Sequence, residues 1–230
     1  MRFRVDVSAT TSELAWEDVF SPARAVAYDL IAGSDPALAT QLHDHGWDGH
    51  SLRPIGVSSP MFRGAPRLKG RYTTSPYGSI WFGSPVPQIA AALLAGLAGR
   101  TSIRWGRAEL TVKGVELEQP PEQVAKGEIT VTTTTPVLVK QDEKYLSPDH
   151  PGFADLLTHN LRHKADLLAL PVEVETEVLD AGPMRRFRVG KAHRHGATVT
   201  ARLAGDPALL TALHAWGLGL GNNQGFGWIR

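Results

Sequence analysis

Asp206-Pro-Ala-Leu-Leu-Thr-Ala-Leu-His-Ala-Trp216 and, directly after it, Gly217-Leu-Gly-Leu-Gly-Asn-Asn-Gln-Gly-Phe-Gly-Trp-Ile-Arg230 end the sequence. The first segment predicts a helix. Asp206 is a good N-cap and Pro207 suits the first helical position, while Leu209, Leu210, Leu213 and Trp216 recur at three-to-four spacing. The second segment places five glycines within eleven positions. Glycine gives up more backbone entropy on ordering than any other residue, so such a run persists only where backbone approaches something closely or takes positive φ. Phosphate-binding glycine loops run from a strand into a helix, so that the helix N-terminus faces the anion. Here the loop leaves a helix at Gly217 and leads into a short strand over 225–229, with no Gly-Lys-Ser/Thr ending and no following acid for a ribose. The nucleotide-cofactor readings fail.

Read backwards from this loop, the chain divides into two halves with one order of elements. In the first, Arg2 to Ser8 alternates as a strand, and helical segments follow over about 22–32 and 35–45. Strands are predicted over 52–59 and 77–83, a buried alanine-rich helix over 86–98 and a strand over 109–118. Gln119-Pro-Pro-Glu122 reads as a linker, dividing the chain into domains over 1–119 and 122–230. In the second half a Thr-rich strand spans 128–134 and a helix 151–168. Strands 172–179 and 184–189 flank the turn Asp180-Ala-Gly-Pro183, with 197–203 extending that strand region ahead of the last helix. Both halves run β-α-β-β-α-β, the ferredoxin-like unit. The expected fold is therefore α+β, with two tandem ferredoxin-like domains.

Composition is that of an ordinary soluble globular protein, and 230 residues suffice for a proper core. Without cysteine there is no disulfide, thiolate metal site or cysteine nucleophile. No apolar run reaches membrane-spanning length and the N-terminus lacks a signal-peptide apolar region, so a cytoplasmic location is expected. The net charge of +1 hides a segregation. No acidic residue occurs between Asp48 and Glu109, where Arg53, Arg63, Arg67, Lys69, Arg71, Arg100, Arg104 and Arg107 lie. None occurs between Asp180 and Asp206, where Arg185, Arg186, Arg188, Lys191, Arg194 and Arg202 lie. Such territory suits a polyanion, because phosphate contacts supply most nucleic-acid affinity. The competing explanation is a solvated surface whose charges cluster by chance.

The pattern helix, then GLG-x5-GFG, resembles the glycine-rich loop of the RAMP superfamily. The chain as a whole resembles the CRISPR-associated endoribonuclease that cuts precursor CRISPR RNA. Ala39-Thr-Gln-Leu-His43-Asp-His-Gly46 is similar to that family's Leu-His segment, and Thr134-Thr-Pro136-Val-Leu-Val to its Ser/Thr-Pro strand exit. Phe153-Ala-Asp-Leu-Leu-Thr-His-Asn160-Leu-Arg-His-Lys164 is similar to its Asn-Leu-x-x-Lys helix. The loop departs from the family in carrying no lysine or arginine across Leu220-Gly-Asn-Asn-Gln224. RNA contacts there would rest on backbone N–H groups of Gly217, Gly219, Gly221, Gly225 and Gly227 and on the amides of Asn222, Asn223 and Gln224.

The resemblance implies metal-independent cleavage of CRISPR repeat RNA by 2′-OH attack, giving a 2′,3′-cyclic phosphate and a 5′-hydroxyl, with no cofactor. The alternative is a non-catalytic RNA-binding RAMP subunit of a CRISPR ribonucleoprotein. Histidine suits the proton steps, since its pKa lies near neutrality. His43 occupies the Leu-His position and is the first choice as catalytic residue, with His45 next should the register differ. Tyr28 lies on the preceding helix, where some family members place an assisting tyrosine. Arg53 is the first cation downstream and would act electrostatically. RNA contacts are expected from Arg63, Arg67, Lys69 and Arg71, with stacking from Phe62 or Tyr72. Arg185, Arg186, Arg188, Lys191, His193, Arg194 and His195 form the second basic set. His193 with His195, and His159 with His163, have metal-compatible spacing but lack completing carboxylates, so no metal site is assigned. Expected partners are CRISPR repeat RNA and crRNA, subunits of a CRISPR interference complex and a second copy of the chain as a homodimer. No membrane partner is expected.

Overall fold

The computed structural model describes residues 1–230. The first unit comprises β1 (Arg2–Ala9), α1 (Ala23–Ser34), α2 (Pro36–Asp44), β2 (Gly56–Val57), β3 (Gly78–Gly83), α3 (Pro87–Leu97), β4 (Ser102–Trp105) and β5 (Ala108–Glu118). Its antiparallel sheet has the order β2-β3-β1-β5-β4, so the two strands after the helical segment pair on one side of β1 and the last on the other. Phe3, Val5 and Val7 alternate toward the helices and are buried with Ala27, Leu30 and Ile31 of α1 and Ile89 and Leu93 of α3. Asp35 begins α2 as anticipated, its carboxylate accepting from Leu38 N at 2.9 Å ahead of Pro36.

The second unit comprises β6 (Glu128–Thr132), α4 (Phe153–Leu167), β7 (Val174–Ala181), β8 (Arg185–Val189), β9 (Ala192–Gly196), β10 (Val199–Gly205) and α5 (Pro207–Trp216). Its sheet runs β7-β10-β6, and the closing segment joins the free side of β6 through the Thr133–Ile229 bridge. Both units therefore share one strand order, and the fold is α+β with tandem ferredoxin-like units. No helix is long and apolar enough to cross a membrane.

Two details differ from the sequence reading. Arg185–Val189 is not a strand of the sheet: it pairs only with β9, and β10 fills the central place. The reason is polarity. Val199, Ala201 and Leu203 alternate as a buried face, whereas β8 offers only Phe187 and half-buried Val189 among exposed arginines. The final strand also shrinks to a bridge, because Gly225 and Gly227 hold φ of 90° and 67°, outside strand geometry.

The units are sewn together at buried points. The Arg2 guanidinium of β1 donates to Ile229 O at 2.8 Å and His214 O at 3.2 Å, pairs with Glu118 at 2.7 Å and lies over the Trp228 ring. Gly83 lets α5 approach, since a Cβ there would sit 2.3 Å from Ala215 O. Phe20, at the end of a one-turn helix over Glu17–Phe20, stacks on Phe226 at 4.7 Å and meets Phe187 edge-on at 5.0 Å.

His214 sits in this seam, and burial, reinforced by Arg2, pushes its imidazole down to about 4. The neutral ring belongs to the fold, while the unfolded chain binds a proton near the ordinary value. Stability should therefore fall as pH drops through the window from 6.5 to about 4, by about 3 kcal/mol at the lower end. Urea melts at stepped pH test this: replacing His214 with Gln should flatten the dependence within that window.

Candidate nucleic-acid interface

All five glycines of the closing loop hold positive φ, between 62° and 96°. Gly227 shows why: a Cβ there would lie 1.9 Å from Leu218 O. What fixes the loop is a lysine. Lys164, on α4, is 2% exposed and donates from Nζ to Gly217 O at 2.7 Å and Asn222 Oδ1 at 2.6 Å, above the Trp216 ring. The Asn222 amide then donates to Leu218 O at 2.9 Å and Phe226 O at 3.1 Å. Burial holds the Lys164 amine well below the usual lysine range. Both its charged and neutral forms still carry the N–H groups these bonds need.

The expectation of open backbone and amide donors is accordingly corrected for most of the loop. Gly217, Gly219, Gly225 and Gly227 are buried, and Asn222 is 5% exposed with both amide atoms engaged. The N–H groups of Leu218, Leu220, Gln224, Phe226 and Gly227 bond to carbonyls of Gly227, Leu138, Gly221, Gly221 and Pro136. Gly221, Asn223 and Gln224 remain half-buried at the surface.

That surface is one wall of a cleft of about 190 Å³ between the two units, whose opposite wall is Arg24, Ser51, Leu52 and Arg53. Arg53 gathers two of the other sequence-predicted residues, Tyr28 and His43. Its guanidinium donates to Leu42 O at 2.9 Å, His43 O at 2.8 Å, Ser51 O at 2.6 Å and Tyr28 Oη at 3.2 Å. It thus caps the exposed carbonyls ending α2. Tyr28 Oη donates to Leu42 O at 3.1 Å, and its ring meets the His43 imidazole edge-on at 5.9 Å. The His43 side chain is 64% exposed, with Nδ1 2.9 Å from Asp44 Oδ1, and that bond holds the Asp44 carboxyl below its ordinary value. His43 joins the cleft through Arg53 and does not line it. His45 ends α2, exposed and with no side-chain hydrogen bond. Arg24 was absent from the sequence reading; it lines the cleft, lies 5.5 Å from the Tyr28 ring and pairs with no carboxylate.

The cations of the acid-free stretches sort into two kinds. Arg100 and Arg107 pair with Asp29, Glu17 and Asp18, and Arg202 pairs with Glu177, so these are structural. Arg71 reaches Glu13 at 3.4 Å. Arg63, Arg67, Lys69, Arg185, Arg186, Arg188 and Lys191 are exposed without carboxylate partners. The register Arg186↔His195 and Arg188↔His193 puts these four on one face of the β8–β9 hairpin. His195 is half-buried beside the Tyr145 ring, and Arg194, opposite Phe187, is half-buried on the other face. Phe62 and Tyr72 do not offer open faces. Both are half-buried against the first core, and burial raises the Tyr72 phenol to about 12.

Residues 118–230 match the family model described as CRISPR associated protein Cas6, C-terminal. Residues 118–230 belong to the Cas6 C-terminal family. Among solved structures, a Cas6-related protein of Pyrococcus furiosus superposes with a TM-score of 0.80 at 15% identity, covering 100% of this chain and 97% of its own. A structure described as CRISPR associated protein Cas6 gives 0.79 at 21% identity, with coverages of 100% and 98%. A RAMP protein described as binding different RNA substrates gives 0.79 at 17% identity, with the same coverages. These superpositions establish a shared fold. No curated protein matches by sequence.

Removing the Lys164 amine would orphan two buried acceptors in the Cas6-type loop. Lys164→Met should cost about 2–4 kcal/mol in urea unfolding. Asn222→Ala should cost a similar amount and the double variant less than the sum, because both act on one network.

Proposed function

We propose that this chain is a metal-independent endoribonuclease that binds CRISPR repeat RNA and cuts it at one position. The observation that carries this reading is the Arg53 guanidinium, which ties Tyr28 and His43 to the cleft walled by the glycine loop. Solved relatives include a Cas6 product complex, superposing with a TM-score of 0.67 at 16% identity.

The chemistry needs no prosthetic group. A 2′-oxygen attacks its own 3′-phosphorus, the bond to the 5′-oxygen breaks, that oxygen takes a proton from water, and a 2′,3′-cyclic phosphate and a 5′-hydroxyl result. With Nδ1–H directed at Asp44, His43 keeps a lone pair on Nε2 to take the 2′-OH proton. Tyr28 and Arg53 position that imidazole through the end of α2. Arg24, the cleft cation whose guanidinium no protein hydrogen bond engages, supplies charge to the crowded phosphorane. Exposed Arg63, Arg67, Lys69 and the β8–β9 arginines hold the flanking backbone. Retained product would pass as guide RNA to subunits of an interference complex.

A second reading, an RNA-binding subunit without catalysis, draws on the absence of His43 from the cleft lining and its 64% exposure. The test uses repeat RNA from the host's own array, in EDTA. His43→Ala should slow cleavage by roughly 10²–10⁴-fold while RNA affinity changes little. Failure of the parent protein to cut that RNA, with binding retained, favours the subunit. Loss of cutting in His45→Ala with His43→Ala active moves the base to His45.

A further inference from the structure

Tryptophan is enriched at binding surfaces, where its ring offers an apolar face, and Trp16 is 53% exposed. It is also held rigidly. Its indole N–H donates to Gly70 O at 2.8 Å, and its ring meets Tyr72 edge-on at 5.5 Å and 76°. Tyr72 is itself anchored, its hydroxyl donating to Pro60 O. The bond to Gly70 brings the loop bearing Arg67 and Lys69 to the tryptophan.

Trp16 borders a groove of about 470 Å³ between the helix Glu17–Phe20 and the β8–β9 hairpin. That volume falls in the range of pockets that take small organic ligands. The other lining residues are Glu17, Phe20, Arg185, Arg186, Phe187, Arg188 and His193. Glu17 is the one carboxylate among them, and Arg107 neutralises it at 2.7 Å. Phe20 and Phe187 cover each other. The groove thus presents one open aromatic face amid unpaired arginines.

We propose that Trp16 is a base-stacking platform, on which a nucleotide of a single-stranded stretch of bound RNA lies while the β8 arginines hold its phosphates. Every base has a π-face, and a fixed indole loses little entropy when one settles on it. Position supports the same occupant. Ser21 bonds Arg188 O and Gly190 N, tying the hairpin to the helical run that continues into Arg24 at the glycine-loop cleft. Trp16 precedes Arg24 by eight residues along that run. This inference rests on the RNA-binding reading above and extends it to a second, non-catalytic subsite.

The experiment measures equilibrium binding of the host's repeat RNA, blocked at the cut site by a 2′-deoxy substitution, over a series of salt concentrations. Trp16→Ala should weaken binding roughly 5- to 150-fold with an unchanged salt slope, because no charge is removed. Trp16→Phe should recover much of the loss. Arg186→Ala with Arg188→Ala should instead lower the slope. Thermal melts matching the parent establish that Trp16→Ala folds. A parent that binds while Trp16→Ala binds within twofold of it overturns the stacking subsite and leaves a surface for a protein partner. A parent that does not bind the RNA overturns the RNA reading beneath it.

Discussion

The buried amine of Lys164 is the contact on which the rest of the interface depends. An amine out of water, like any buried polar group left unsatisfied, costs about 1–3 kcal/mol unless the protein returns its hydrogen bonds. Here Gly217 O, Asn222 Oδ1 and the Trp216 ring do so, and the first two are parts of the glycine loop itself. The loop cannot leave without stranding the amine, and the amine cannot be satisfied without the loop in this conformation. Glycine-rich backbone, flexible by composition, becomes a fixed wall.

That wall matters because catalysis and recognition need geometry prepared in advance. The loop packs on the first unit through Phe226 and Phe20, and the same aromatic cluster seats the basic hairpin through Phe187. Arg2 closes the other end of the seam. One framework therefore fixes the cleft, the end of α2 carrying His43, and the arginine-lined groove beside Trp16. Cations within the framework have fixed protein partners, carboxylates for Arg2, Arg100, Arg107 and Arg202 and neutral oxygens for Lys164 and Arg53. Those outside it are left for a polyanion, a division of labour that net charge alone conceals.

Much of this was legible in the sequence. The tandem β-α-β-β-α-β order followed from hydrophobic period and from the Asp206 cap, whose carboxylate does accept a first-turn N–H. The role of β8 was not legible, since a charged hairpin and a sheet strand share the same local alternation and differ only in what covers them. The glycine loop was found, but its donors were assigned to a ligand when most turn inward. One signal for that was available: Lys164 falls on the apolar stripe of Leu157 and Leu161, where a lysine must be buried with partners. Trp16 and Arg24 had no such signal. Their importance comes from neighbours distant in sequence, Gly70 for one and the glycine loop for the other.

Native-state hydrogen exchange of the loop amides tests most directly whether the loop is a preformed wall. With Lys164 in place, the amides of Leu218, Phe226 and Gly227 should exchange without RNA as slowly as those of the sheet cores, opening only with global unfolding. Exchange at the rate of an open loop, slowing only once RNA is added, would contradict it and make the loop a segment that folds around its ligand.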